Sequence, residues 1–468
     1  MPKPLLDRPW PWVVAAGVLV VAFVLTVVDI RIGDPDPRPV GSADDIEQLA
    51  ERDDLNVLFI LIDTLRADRL GSYGYLRDTS PELDRLAANG VRFSRHMSQS
   101  SWTKCSMASL WTGLYPARTG ITRYNHVIPD AAELPAELLK QAGFRTVGIY
   151  RNGWVAPTFG FDQGFDVYIR PAGRGLPPSV RIENPTLTRK TTDEDGLASA
   201  LEFLRVHGHE RWFLYLHLMD VHEYLYDEET ALFGGAYSDI YDNSIRWTDR
   251  VVGVLMAHLA DQGYTENTLV VVGSDHGEAF RERGIEGHAR RVYRETTEVP
   301  FILSFPFRLE PGIVFRGRTR NIDVWPTVLE LIGLSSPAER DGHSLRPQLL
   351  ARARGEVIQE PDPTAVAQLD QNWGQRTRRP VDSLAVADGP LRYVRSEERG
   401  RAIEQLFDAR VDPDELDDRA QEMPEELARL RGLADAYLQM RPPWGESPTR
   451  EIEELELNQL RALGYAIP

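Results

Sequence analysis

Two stretches decide the fold of this 468-residue chain: Asn56–Asp63, NVLFILID, and Thr268–His276, TLVVVGSDH. Each is a short, continuous apolar run rich in β-branched residues and ends on polar groups. A strand that is apolar at every position fits a sheet covered on both faces, and such sheets are mainly parallel. Working outward, WFLYLHLMD (Trp212–Asp220) has the same form, and AELPAELLKQAG followed by FRTVGIY (Phe144–Tyr150) gives a helix, a glycine stop and a strand. SPELDRLAANG (Ser80–Gly90) carries a Ser cap, Pro at the first helical position and a closing Gly. This alternation predicts an α/β fold, a mainly parallel sheet sandwiched by helices. Asp63, Asp220, Asp275 and His276 all fall at the C-terminal ends of strands, where open α/β sheets place their ligands.

The remainder divides by composition. Trp12–Val28 (WVVAAGVLVVAFVLTVV) is an uncharged run of 17 residues preceded by Lys3 and Arg8. Its length is near the lower limit for crossing a core of ~30 Å, and the flanking charge predicts a cytoplasmic N-terminus. No small-x-small cleavage site follows Val28, so an uncleaved anchor is expected rather than a signal peptide. The expected layout is a cytoplasmic tail (1–11), a transmembrane anchor (12–30), a linker (31–54) and the main α/β domain (55–350). A linker or surface excursion (351–380), a small α+β C-terminal subdomain (381–442) and a terminal helix or tail (443–468) follow. Ala385–Val394 and Leu406–Asp408 read as strands, and Glu425–Met440 and Glu451–Tyr465 as helices.

The net charge of −18 disfavours nucleic acid as a partner, since phosphate backbones attract basic surfaces. A single cysteine, Cys105, excludes an intramolecular disulfide and a multi-cysteine metal site, while ten histidines leave room for a mixed His/carboxylate centre.

The segments NVLFILIDTLRADRLGSYGY, SWTKCSMASLWTGLYPARTG, FGFDQGFDVY, FLYLHLMDVH, VVVGSDHGEAF, GIEGHARRVYRETTEVPFILSFP, IDVWPTVLELIGL and LFDARVDPDELDD occur in that order. Together they resemble the sulfatase branch of the alkaline phosphatase superfamily. The resemblance implies a metal-dependent ester hydrolase that uses one divalent ion (Ca²⁺, Mg²⁺, Mn²⁺ or Zn²⁺) held by Asp63, Asp275 and His276. Many such enzymes have Asp-Asp after the first strand, but here it is Asp63-Thr64, which implies fewer carboxylates and weakens the case for Ca²⁺. Formylglycine sulfatases carry Cys-x-Pro-x-Arg, whereas Met107 and Ser109 stand at the Pro and Arg positions after Cys105. Aligned on Leu110-Trp111-Thr112-Gly113, the family nucleophile falls on Thr103, resembling members with an unmodified threonine.

Lys104–Thr112 reads as a short helix with Thr103 at its N-cap, where unpaired N–H groups favour an anionic substrate and an alkoxide. His222 and His288 resemble the substrate-binding and leaving-group histidines of the family. Lys104, Asn152 and Asp220 are weaker candidates for substrate contact, with Lys104 otherwise a solvated lysine and Asp220 an orienter of His222. His217 reads as a packed strand residue, Ser106 and Ser109 as packing or hydrogen-bonding residues, and Arg66 and Asp68 as a structural turn.

The expected activity is hydrolysis of a sulfate or phosphate ester, leaning to phosphorus, in a small molecule, glycan or lipid headgroup outside the membrane. The alternatives are a phospho-alcohol transferase, a formylglycine sulfatase using Cys105, and a non-catalytic surface protein that keeps the fold.

Overall fold

The computed structural model describes Val13 and residues 36–173, 181–182, 191–453, 457–458 and 460. It divides into a unit Met1–Pro39 and a unit Val40–Pro468. In the first, Asp36 and Arg38 form an ion pair at 2.6 Å. The apolar run Trp12–Val28 lies outside the described residues apart from Val13, and among the described residues no helix is long and apolar enough to cross a membrane.

The second unit is built on an eight-stranded sheet. Its strands are β1 (Asn56–Ile62), β2 (Val91–Met97), β3 (Arg145–Ile149), β4 (Val167–Ile169), β5 (Trp212–Leu218), β6 (Thr268–Gly273), β7 (Phe301–Ser304) and β8 (Ile313–Arg320), in the spatial order β8-β2-β7-β6-β1-β5-β3-β4. β1 is central and pairs in parallel with β5 and β6, while β7 alone runs antiparallel to its neighbours β2 and β6. The four strands expected from sequence are present. β2, β4, β7 and β8 were not anticipated, because short, half-polar or peripheral strands carry little periodic signal.

The helices that shape the site are α1 (Thr103–Thr112), α2 (Asp193–His207), α3 (Asp220–Glu223), α4 (Tyr237–Asp261), α5 (Arg294–Thr297) and α6 (Asn321–Leu331). β1 shows why its run is apolar throughout. Val57, Phe59 and Leu61 enter the core shared with α1 and α6, and Leu58, Ile60 and Ile62 enter the core shared with α2 and α4. Successive side chains leave a strand on opposite faces, so two covered faces require an unbroken hydrophobic sequence. Trp111 of α1 stacks on Trp325 of α6 with centroids 5.2 Å apart, and both rings meet Phe59 edge-on at 5.9 and 5.5 Å. This aromatic wedge seats the C-terminal end of α1, which stops at Gly113, whose φ of +68° suits a residue without a Cβ.

The C-terminal subdomain is an antiparallel meander of β9 (Ala365–Asp370), β10 (Asp382–Asp388), β11 (Leu391–Glu398) and β12 (Arg401–Asp408), packed by α7 (Pro424–Tyr437). β9 lies inside the 351–380 stretch read as a linker. Its six residues are all buried, but flanking proline and arginine hide them in the sequence. Most of the helix expected over Glu451–Tyr465 lies outside the described residues.

Candidate active site

Because β1 and β6 are parallel neighbours, with Leu61 opposite Gly273, the residues that follow them emerge at one edge of the sheet. Asp63 and Asp275-His276 therefore meet, all fully buried, with one ligand atom from each lying within 4.8 Å of the others. His276 Nδ1 is 3.0 Å from the Gly277 carbonyl. A carbonyl only accepts, so the proton sits on Nδ1 and the Nε2 lone pair faces inward. That Nε2 is 3.2 Å from Asp275 Oδ2 and 3.7 Å from Asp63 Oδ1. Among the described residues, neither Asp63 Oδ1 nor Asp275 Oδ2, both buried, has a hydrogen-bond partner. Three lone-pair donors turned on one point, two of them anionic, fit a divalent cation.

The electrostatics agree. Burial alone would raise Asp63, but the His222 imidazole and the hydrogen bond from His217 hold it well below the ordinary carboxylate range. Burial, then the charge of Asp63, pushes Asp275 up. Asp63 Oδ2 is engaged separately: Asn152 Nδ2 donates to it at 2.7 Å and His217 Nε2 at 3.1 Å. Tyr215 completes that chain by donating its hydroxyl to His217 Nδ1 at 2.9 Å. His217 is the packed residue of β5 that its place in the run predicts, and it also hydrogen-bonds Asp63, which was not expected. The available signal was a polar side chain two residues after Tyr215 on the same strand face, one residue short of the end of β5.

Thr103 is the first residue of α1, and Trp102 takes the N-cap position that the sequence had assigned to Thr103. Its Oγ1 lies 3.0 Å from His276 Nε2 and 3.3 Å from Asn152 Nδ2. Ser106, one turn on, donates to the Asp275 carbonyl at 2.5 Å, tying the helix to the ligand turn. Cys105, two residues along the helix, is rotated roughly 200° away from Thr103. Its Sγ faces the Gln368 carbonyl of β9 at 3.9 Å, and burial pushes the thiol up to about 12.

The histidines converge as well. His288 stacks on His276 with centroids 4.5 Å apart and lies 4.9 Å from His222. His288 Nδ1 bonds Glu278 Oε2 at 3.0 Å, so chemistry at this ring falls to Nε2. Burial by itself would lower the His288 pKa, but Glu278, with Asp63 and Asp275 beyond it, raises it above the ordinary value. Glu278 escaped the sequence reading because it passes for part of a polar turn.

Two weaker expectations change. Lys104 is buried, not solvated; its Nζ donates to the Tyr124 carbonyl at 2.7 Å and lies 3.6 Å from the Phe159 ring centroid. Asp220 does not serve as a simple orienter of His222, because both of its oxygens are committed to a buried ion cluster. Arg151 Nη1 bonds Asp193 and Asp220, and Nη2 reaches Glu223 at 2.7 Å. Asp220 Oδ2 also accepts from Asp193 N at 2.8 Å and Trp247 Nε1 at 2.7 Å. Arg66 and Asp68 do form a turn, paired at 2.7 Å, with Arg66 also donating to the Glu278 carbonyl at 2.9 Å.

With three buried carboxylates around one guanidinium, burial and then the charges of Asp193 and Glu223 outweigh Arg151 and push Asp220 up to about 8. The folded state holds a proton that the unfolded chain releases near 3.8, so this group's stabilisation fades as pH rises between those values. The expected contribution is a fall in melting temperature of roughly 1–2 °C per pH unit across that window. Calorimetry over a pH series tests this, and Asp220→Asn should flatten the slope.

A family model described as Sulfatase matches residues 55–334. N-acetylgalactosamine-6-sulfatase from Rattus norvegicus is 29% identical over 356 residues, covering 65% of this chain and 67% of its own. A solved 2-O GAG sulfatase superposes with a TM-score of 0.69 at 21% identity, covering 82% of this chain and 92% of its own. The phosphonate monoester hydrolase of Agrobacterium radiobacter gives 0.65 at 18%, covering 82% and 95%. At these identities the two structures speak for the fold alone. The family match runs from the residue before β1 to just beyond α6 and so takes in every residue of the cluster above; this chain belongs to the sulfatase family of ester hydrolases.

Proposed function

We propose that this protein is a metal-dependent hydrolase of oxyanion esters that works through a covalent intermediate on Thr103. The observation that carries the reading is the 3.0 Å approach of Thr103 Oγ1 to His276 Nε2, beside Asp63 Oδ1 and Asp275 Oδ2, which have no hydrogen-bond partner among the described residues. A divalent ion held by Asp63, Asp275 and His276 would neutralise substrate oxygens and lower the pKa of the Thr103 hydroxyl. Thr103, its hydroxyl proton already given up to solvent, attacks the central sulfur or phosphorus as the alkoxide through Oγ1, with Asn152 Nδ2 donating to it, and the bond to the leaving oxygen breaks. His288 Nε2 gives that oxygen its proton, since Glu278 on Nδ1 favours the charged imidazolium. Water then attacks the threonyl ester, giving one proton to His288 and expelling Thr103 as the alkoxide, which restores both groups. His222, whose ring faces His288, binds the substrate oxygens.

The substrate preference follows from the nucleophile. A formylglycine hydrate expels its sulfate by collapsing to the aldehyde, an exit closed to a simple alcohol. A threonyl ester must instead be cleaved by water at the central atom. We therefore favour phosphate or phosphonate esters over sulfate esters, in a small molecule, glycan or lipid headgroup. The similarity in fold to phosphonate monoester hydrolases is compatible with this. Assays of the purified protein on aryl phosphate, bis-aryl phosphate and aryl sulfate should give turnover on the phosphorus esters first, and turnover on aryl sulfate alone would reverse the preference.

We also assign the run Trp12–Val28 as an uncleaved anchor that leaves the catalytic unit outside the cytoplasm, on the basis of its length and its flanking charge. A periplasm-active reporter fused after Ile30 should be active, and a silent fusion would invert the orientation.

A further inference from the structure

The segment Leu406–Asp418, LFDARVDPDELDD, has no part in the chemistry above, yet it contains an unusual residue. Glu415 is 4% exposed and has a φ of +55°, a conformation disfavoured for a side chain of this size. An observed outlier of this kind points to a constraint from the surroundings. Here the left-handed turn sends the carboxylate inward. Glu415 Oε2 accepts from the Arg294 backbone N–H at 3.1 Å, and Oε1 lies 3.1 Å from Arg392 Nε. The backbone joins in, because Arg283 Nη2 donates to the Asp414 and Glu415 carbonyls at 2.8 and 2.9 Å. Arg392, on β11, carries the link further by donating to the Val292 carbonyl at 3.1 Å and to Thr297 Oγ1.

All these attachments end on the span from Arg283 to Thr297, which holds His288 and α5. The far side of that span abuts the metal-ligand turn. Gly277, next to His276, donates its N–H to the Thr296 carbonyl at 3.0 Å, and Ala289, next to His288, donates to the Ser101 carbonyl at 2.7 Å. The packing leaves no slack, since a Cβ on Gly277 would sit 2.3 Å from the Glu295 carbonyl oxygen. A shift of α5 would therefore move His276 and His288 together.

We propose that Glu415 is a positioning residue through which the C-terminal subdomain holds His288 in line with the leaving oxygen. This rests on the assignment of His288 as proton donor, and the experiment separates the two. Glu415→Gln keeps the shape and removes the charge. Arg283→Gln releases the same loop from a more exposed position and carries the test should the buried variant not fold. Both are compared with His288→Gln on phenyl and 4-nitrophenyl phosphate, or on the matching sulfates if those are turned over. 4-Nitrophenolate leaves without a proton, whereas phenolate needs one. We expect the two clamp variants to lose about tenfold or more in kcat/KM on the phenyl ester and less than about threefold on the nitrophenyl ester, a smaller copy of the His288→Gln pattern. Equal losses on both esters, or no loss, with His288→Gln still selective, would overturn the clamp and leave the donor standing. Equal losses in His288→Gln would remove the donor assignment and the clamp with it.

Discussion

Thr103→Ala should reduce turnover by at least about 10³-fold with folding intact, because it deletes the atom that takes the group in the proposed mechanism and leaves every neighbour in place. Thr103 is fully buried, and its hydroxyl faces His276 and Asn152, so the change removes one methyl and one hydroxyl from a site that Asp63 and Asp275 continue to define. Thr103→Ser keeps the alcohol at the same place and should retain activity within about tenfold of wild type, the loss reflecting the extra rotamers of an unbranched side chain. The competing nucleophile is tested in the same set. Cys105→Ala should leave kcat within about threefold, since the thiol lies on the opposite side of α1 against β9. The Cys105 peptide should show the mass of an unmodified cysteine. Wild-type turnover in Thr103→Ala, or a formylglycine mass at Cys105, would move the nucleophile to the other residue.

Stripping the protein with a chelator should abolish activity and lower the melting temperature by several degrees, both restored by one equivalent of a divalent ion. The physical reason is the arrangement of Asp63 Oδ1, Asp275 Oδ2 and the His276 Nε2 lone pair, which repel one another unless a cation lies between them. Saturating ligand at a hundred times its dissociation constant stabilises a protein by about 2.7 kcal/mol, which sets the scale of the thermal shift. Two carboxylates and an imidazole are few oxygens for Ca²⁺, so Mn²⁺ or Zn²⁺ should restore more activity than Ca²⁺. Asp275→Asn should weaken ion binding, as read by isothermal titration, because it removes the charge whose proximity to Asp63 makes the site costly when empty. Full activity in the stripped protein would remove the ion from the reaction.

The Arg151 cluster bears on why the two sides of the site stay together. Arg151 precedes Asn152, which touches Asp63 and Thr103, and its partners Asp220 and Glu223 bracket His222 on α3. One buried guanidinium thereby joins the end of β3 to the turn after β5. Breaking a paired buried charge leaves its partners uncompensated, so losing Arg151 should cost more stability than losing one member of a surface ion pair.

How much of this could be read before folding depended on whether the information was local. Asp63, Asp275 and His276 were legible because an apolar strand followed by polar residues is a local pattern, and a parallel sheet brings such ends to one edge whatever the loops do. Thr103 was legible to within one helical position, because the glycine stop at Gly113 and the Leu110–Thr112 segment fix the register of α1. The contact of Asn152 with Thr103, the bond from His217 to Asp63, the burial of Lys104 against Phe159 and the absorption of Asp220 by Arg151 were decided only by the tertiary structure. Each joins segments separated by tens to hundreds of residues, and its partner is chosen by strand order and by how α1 seats on the Trp111–Trp325 wedge. A polar side chain next to a strand looks the same in sequence whether it meets solvent, a cation or a buried arginine, because its energy depends on what the rest of the chain brings within about 3 Å of it.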